Sequence, residues 1–164
     1  NMALSITIRA IKQSDNPKVA KMIRGVFDEY KAGTEGTVYT DPTTDQLFNL
    51  FQHPNSMLFV AEQNNEIHGC CGIFPTEGLP DGCAELVKFY VSSAIRGKGI
   101  GRKLYEKCES LAQTLGYDEL YIESTPDFIQ AVRIYQKIGF KMLDAPMGSS
   151  GHYGCDIWMS KKLN

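Results

Sequence analysis

The stretch Val91-Ser92-Ser93-Ala94-Ile95-Arg96-Gly97-Lys98-Gly99-Ile100-Gly101-Arg102 decides how the chain reads. It sits between a strand-like run, Ala84 to Val91, and an amphipathic helix marked by Leu104, Cys108, Leu111, Ala112 and Leu115, which Gly116 ends. Glycines at 97, 99 and 101 let the backbone take positive φ and approach a ligand with no Cβ in the way. The free N–H groups of the helix start then converge on an anion, helped by the positive end of the helix dipole. Arg96, Lys98 and Arg102 add charge at the same mouth. The segment reads as a diphosphate cradle. It is neither a P-loop, which needs G-x-x-x-x-G-K-[ST], nor a dinucleotide fingerprint, whose G-x-G-x-x-G spacing it lacks.

Working outward, Ile6 to Ile11 alternates apolar and polar residues as a short strand. Asn16-Pro17 offers a cap and a first-turn proline for a helix over Pro17 to Tyr30, and Asp41-Pro42 starts a shorter one through Leu47, Leu50 and Phe51. Leu58 to Ala61 and Ile67 to Phe74 are strands joined by an Asn64-Asn65 hairpin turn. Leu120 to Glu123 is another strand. Asp127 can cap a helix whose buried face is Ala131, Ile134, Tyr135 and Ile138, closed by Gly139. Phe140 to Leu143 and Cys155 to Ser160 are the last strands, joined by the loop from Asp144 to Gly154. The order β-α-α-β-β-β-α-β-α-β-β calls for an α/β (α+β) fold: a mixed sheet with hairpins in its middle and helices upon it.

The chain has 164 residues, of which 17 are Lys or Arg and 19 Asp or Glu, so it lacks the basic excess that gripping a nucleic acid needs. No apolar run approaches the roughly 18 residues of a membrane span. One domain, over residues 4–164, is expected, with Asn1 set aside. The five cysteines (Cys70, Cys71, Cys83, Cys108, Cys155) show no C-x-x-C spacing and read as reduced thiols. Adjacent in a strand, Cys70 and Cys71 point to opposite faces. The opening residues lack a basic stretch followed by an apolar run, so a cytoplasmic location is expected. His53, His68 and His152 have no metal-ligand spacing with the cysteines, and no metal is expected. A Cys155/His152 nucleophilic pair lacks an orienting third group.

At the glycine-rich segment the sequence resembles the GNAT acetyltransferase superfamily, whose signature reads approximately V-x-P-x-x-R/Q-G-x-G-x-G/A. Val91, Arg96, Gly97, Gly99 and Gly101 match it, with Ser93 in place of Pro. The family often carries N-x-x-A-x-x-x-Y-x-K-x-G-F downstream, where Ala131, Tyr135, Lys137, Gly139 and Phe140 match and Phe128 replaces Asn. The resemblance implies a mostly antiparallel sheet of about seven strands and about four helices, splayed at its central strands. It also implies acetyl-CoA as donor and a primary amine of a small molecule, peptide or protein as acceptor. Arg96, Gly97, Lys98, Gly99, Ile100, Gly101 and Arg102 would hold the donor's diphosphate. Its pantetheine arm would lie along Phe89, Tyr90 and Val91, and a backbone N–H near Val91 would polarise the thioester. A homodimer is compatible with the family.

Glu85 is the candidate general base, at a position where related enzymes place a catalytic Glu. Strand alternation places it on the face of Val87, Phe89 and Val91, an apolar setting that raises a carboxyl pKa. Tyr135 is the candidate general acid for the departing thiolate. The loop from Asp144 to Gly154 and the segment from Phe27 to Tyr39 are expected to wall the acceptor pocket. The alternative is an acyl-CoA-binding or sensor module that keeps the cradle without turnover.

Overall fold

A seven-stranded sheet runs in the order β1-β2-β3-β4-β5-β7-β6. The structure, a computed structural model, describes residues 5–164. Asn1 and the domain's expected first residue, 4, lie outside them. Its strands are β1 (Thr7–Ala10), β2 (Met57–Gln63), β3 (Glu66–Phe74), β4 (Cys83–Val91), β5 (Glu119–Ser124), β6 (Lys141–Leu143) and β7 (Ile157–Lys162). The helices among the described residues are α1 (Asn16–Glu29), α2 (Leu47–Leu50), α3 (Ile100–Thr114) and α4 (Ile129–Lys137). Every pairing is antiparallel except β4 with β5. The architecture is the mixed α/β one that the sequence predicts.

Turn chemistry explains many of the element ends. Asn64 and Asn65 both take φ near 60° and close the β2–β3 hairpin, as a type I′ turn requires. Gly116 and Gly139 end α3 and α4 at φ 93° and 110°, with Tyr117 N–H reaching back to Ala112 O and Phe140 N–H to Tyr135 O, both at 2.9 Å. Two expected caps are placed elsewhere. Asp15, not Asn16, holds the N-cap position of α1, and no side chain caps it, the Asp15 carboxylate accepting from Arg9 and the Lys12 amide; the Asn16 side chain instead accepts from the Phe48 amide at 2.7 Å and ties α1 to α2. Asp127 does not cap α4: Thr125 caps the 3-10 turn Pro126–Phe128, and the Asp127 carboxylate accepts from the Gly33 amide at 3.0 Å.

Helices cover both faces of the sheet. On one, Leu104, Cys108 and Ala112 of α3 and Tyr135 of α4 pack on Cys71, Ile73, Leu86 and Ile122. On the other, Val19, Ile23 and Phe27 of α1 pack on Leu58, Val60 and Cys70. Cys70 and Cys71 fall in different cores, as alternation demands. Ile134 is an exception to the expected buried face of α4: it is 54% exposed, Val132 is buried in its stead, and Ile134 turns toward a cleft. The last strand also begins later than expected. Gly154, Cys155 and Asp156 spend their amides on Gly36 O, His152 O and Ser124 O, so Cys155 lies in a loop and β7 starts at Ile157.

Two irregularities position the site. β4 and β5 pair only through Cys83–Glu119, Ala84–Leu120 and Glu85–Tyr121, after which the strands part. Lys88, at φ 55°, then inserts a bulge in β4, and the β3 register shifts between Cys70 and Gly72. The extra residue flips the alternation. Val87 and Tyr90 consequently face the α1 side, while Leu86, Phe89 and Val91 face α3. Glu85, two residues before Val87, keeps Val87's face. The expectation that it shares a face with Phe89 and Val91 is therefore corrected: the bulge separates them.

Candidate active site

The parting of β4 and β5 opens a cleft of about 590 Å³, which Glu85, Lys88, Phe89, Gly97, Tyr135 and His152 help to line. At one end lies the glycine-rich loop. Gly97 and Gly99 take φ 78° and 77°, and an added Cβ on either would meet nothing within 4 Å. Gly99 caps α3 in the left-handed conformation, and no side chain caps the helix's first amides. Those donors, together with exposed Lys98 and Arg102, face an open mouth that fits a diphosphate. Gly101 serves packing instead, since a Cβ there would stand 3.5 Å from Val91 Cγ2.

Arg96 is placed differently from its cationic neighbours. Its guanidinium pairs with Glu29 of α1, donates to Val91 O at 3.0 Å and stacks 5.0 Å from the Tyr30 ring centre. The side chain fastens the loop to α1 and leaves only its backbone at the mouth. Arg102 forms an exposed i,i+4 pair with Glu106.

Glu85 sits where the strands diverge and is 4% exposed. Burial pushes its carboxyl up to about 7, helped by the Glu123 charge and opposed by Thr76 and Lys88. Thr76 Oγ1 donates to Oε1 at 2.6 Å, while no described residue bonds Oε2. Glu123 has no such vacancy. Tyr121 Oη donates to one of its oxygens at 2.8 Å and Ser150 Oγ to the other. Glu85 is thus the carboxylate with a free oxygen.

Tyr135 packs between Phe89 and Phe140, each with ring centres 6.0 Å away. Its hydroxyl bonds to no described residue, yet no fully buried side-chain nitrogen or oxygen among those residues lacks a partner. The hydroxyl therefore opens on the cleft. Burial raises its pKa, so it stays protonated at neutral pH.

The other wall comes from two loops clasped together. Gly154 N–H donates to Gly36 O at 2.8 Å, so close that a Cβ on Gly154 would stand 2.3 Å from Glu35 O. His152 Nε2 pairs with Asp41 Oδ2 at 2.8 Å, while Asp41 Oδ1 caps the turn at Thr43. Burial pushes the Asp41 carboxyl up, but His152 and Thr43 outweigh it and hold it at about 2. Phe128 fills the space between these loops and β4, edge-on to Phe27 at 5.0 Å and near Tyr90 at 6.2 Å.

The sequence profile of the Acetyltransferase (GNAT) family matches residues 23–140. The chain belongs to the GNAT acetyltransferase family. It is 33% identical over 160 residues to the uncharacterized N-acetyltransferase YjgM of Escherichia coli K12, covering 97% of this chain and 96% of that one. It is also 32% identical to an IAA acetyltransferase of Azospirillum brasilense, over 67% and 70% of the two chains. Among solved structures, a GNAT-family acetyltransferase of Staphylococcus aureus Mu50 shares the fold at TM-score 0.85 and 19% identity, over 98% of this chain and 100% of that one. The PaiA N-acetyltransferase of Thermoplasma acidophilum, solved in complex with coenzyme A, shares it at 0.76 and 21%, with the same coverage.

In this GNAT acetyltransferase the fold gathers Glu85, Tyr135, Phe89, Tyr90, Val91, Arg96, Gly97, Gly99, Ile100, Gly101 and Arg102 around one cleft, while Lys98 stands exposed outside its lining. The orienting third group that the sequence reading found lacking for Cys155 and His152 is present, since Asp41 holds the His152 imidazole, but no bond joins that imidazole to the Cys155 thiol, which burial pushes up to about 12. No group of three or more His, Cys, Asp or Glu among the described residues is placed to hold a metal. No helix among them is long and apolar enough to cross a membrane. Sequence reasoning missed Lys88, Thr76 and the second role of Asp41. Asp41 carried a readable signal, a cap before proline, but its partner lies 111 residues away. Lys88 carried none, because nothing in the local sequence announces the bulge.

Proposed function

We propose that this chain, as one domain over residues 4–164, moves the acetyl group of acetyl-CoA to a primary amine by direct attack in a ternary complex. In this reading the amides of Gly97 to Arg102, with Lys98 and Arg102, hold the diphosphate, and Arg96 fixes the loop that presents them. The pantetheine arm lies against Phe89 to Val91, whose edge toward β5 is unpaired. A backbone N–H near Val91 polarises the thioester carbonyl. A lysine-type ammonium has a pKa of about 10.4, so the attacking nitrogen must shed a proton. Glu85 accepts it, with a pKa close to working pH, where a general base is most effective. The nitrogen forms its bond to the carbonyl carbon as the carbon–sulfur bond breaks, and Tyr135 donates its proton to the departing sulfur.

The observation that carries the reading is the pairing of a half-free, buried Glu85 with an unbonded Tyr135 hydroxyl on one cleft at the end of the glycine-rich loop. Thiol release from acetyl-CoA, measured with a panel of primary amines, tests it. Release that depends on the amine is expected. Tight CoA binding with no release for any amine overturns it in favour of a binding module.

A further inference from the structure

Lys88 is the group that the reaction above leaves unused. It is 6% exposed, yet its ammonium makes no hydrogen bond and no ion pair with any described residue. It lines the cleft, and the full pairing of buried polar atoms noted above requires its Nζ to reach open space there. The charged and titratable groups that face it are Asp41, Glu85, Cys70 and Cys155. None makes a hydrogen bond or ion pair with its Nζ, although the charges of Asp41 and Glu85 favour its charged form from a distance. Asp41 is bonded by Thr43 and His152, and Glu85 by Thr76 through one oxygen. Two costs therefore meet at one residue: an unpaired buried cation and a non-glycine residue at φ 55°. A cation kept in that state on a cavity wall calls for an anion that arrives with a ligand.

We propose that Lys88 holds a carboxylate of the acceptor, so that the acceptor is a small amine bearing its own carboxylate, as an amino acid does. The proposal rests on Glu85 receiving the acceptor's amine. Glu85 and Lys88 are three residues apart on one strand, roughly 10 Å at most between their Cα atoms. One small molecule spans that distance with its amine at Glu85 and its carboxylate at Lys88. The alternation of charge along the wall discriminates both ways. A diamine would set its second ammonium against Lys88, and a simple alkylamine would leave Lys88 unpaired and desolvated. Burial lowers the Lys88 pKa and the acidic neighbours only partly restore it, so a bound carboxylate also favours the charged form.

The test uses the twenty protein amino acids, each beside its amide and its decarboxylated amine, on the wild type, Lys88→Met and Lys88→Arg. Acetyl transfer is read by thiol release, and binding to the CoA-loaded protein by calorimetry. CoA binding serves as the check that each variant is folded. For at least one amino acid, the wild type is expected to show a KM at least tenfold below those of its amide and amine. Lys88→Met is expected to erase that difference through KM with kcat little changed, and Lys88→Arg to restore part of it. Wild-type protein that uses the decarboxylated amines as well as the amino acids overturns the proposal, as does a Lys88→Met variant that weakens all three alike. The two readings fail separately. Amino-acid binding that Lys88→Met abolishes, without any turnover, upholds the anchor and overturns the transfer; turnover without preference does the reverse.

Discussion

The base role proposed for Glu85 rests on its environment. Its carboxyl is held near 7, against 4.5 for an unburied glutamate, so kcat/KM is expected to rise with pH through about 7 and level off above it. Glu85→Gln should lower kcat by about 10²–10⁴ and remove that inflection, which a pH–rate profile reads directly. Stability moves the other way. A carboxyl whose folded pKa is raised binds its proton more tightly when folded, so its contribution is full below about 4.5 and is lost as pH rises through 7. Glu85→Gln is therefore expected to raise Tm at pH 8, whereas a fall would mark the carboxylate as a structural anchor. Asp41 has the opposite sign. Held at about 2 against 3.8, it stabilises the fold above pH 4, and that support is lost as pH falls toward 2. His152→Ala should move the midpoint of acid unfolding upward. Tyr135→Phe should keep CoA binding and lose kcat.

The elements place these residues, and they differ in how plainly they announce themselves. The loop into α3 was legible because glycine spacing, flanking cations and the following helix all lie within a short run of sequence. Gly99→Ala is expected to cost about 1–2 kcal/mol in stability, since an L-residue must adopt the left-handed cap. It should also raise the KM for acetyl-CoA, and thermal melts with initial rates check both. The Arg96–Glu29 contact was not legible, because it joins residues 67 apart through side chains that each have an ordinary surface role. Glu29→Gln should raise the same KM severalfold and leave kcat nearly unchanged. The β4 bulge was likewise hidden. Alternation reads correctly as far as Val87, and a lysine at positive φ then reverses it, so Phe89 and Val91 face the side opposite to the one expected. Ile134 has the same cause at helix scale: its spacing marks a core position, but the surface it meets is a cleft, which hydrophobicity alone does not distinguish from a core.

At the scale of the whole molecule, the sheet is covered on both faces and opened at one seam. Two cores, one under α3 and α4 and one under α1 and α2, hold β4 and β5 together at their start and let them part beyond Glu85. The cleft is thus a property of topology, a single parallel pairing inside an otherwise antiparallel sheet. The family, the order of elements along the chain and the glycine-rich loop at one end of the cleft were all readable from the chain. At the other end only the walls were readable, as the loop Asp144 to Gly154 and the segment Phe27 to Tyr39; the meeting there of Glu85, Lys88, Glu123 and His152, supplied by separate segments, was not. That split follows from how the two ends are made: one from consecutive backbone, the other from distant side chains. Direct transfer between two bound substrates is the claim that joins the ends. Initial rates of thiol release over a grid of acetyl-CoA and acceptor concentrations test it most directly. Double-reciprocal lines that intersect, with no acetyl group retained on the protein, are the predicted result; parallel lines with an acetylated Cys155 or Lys88 would contradict it.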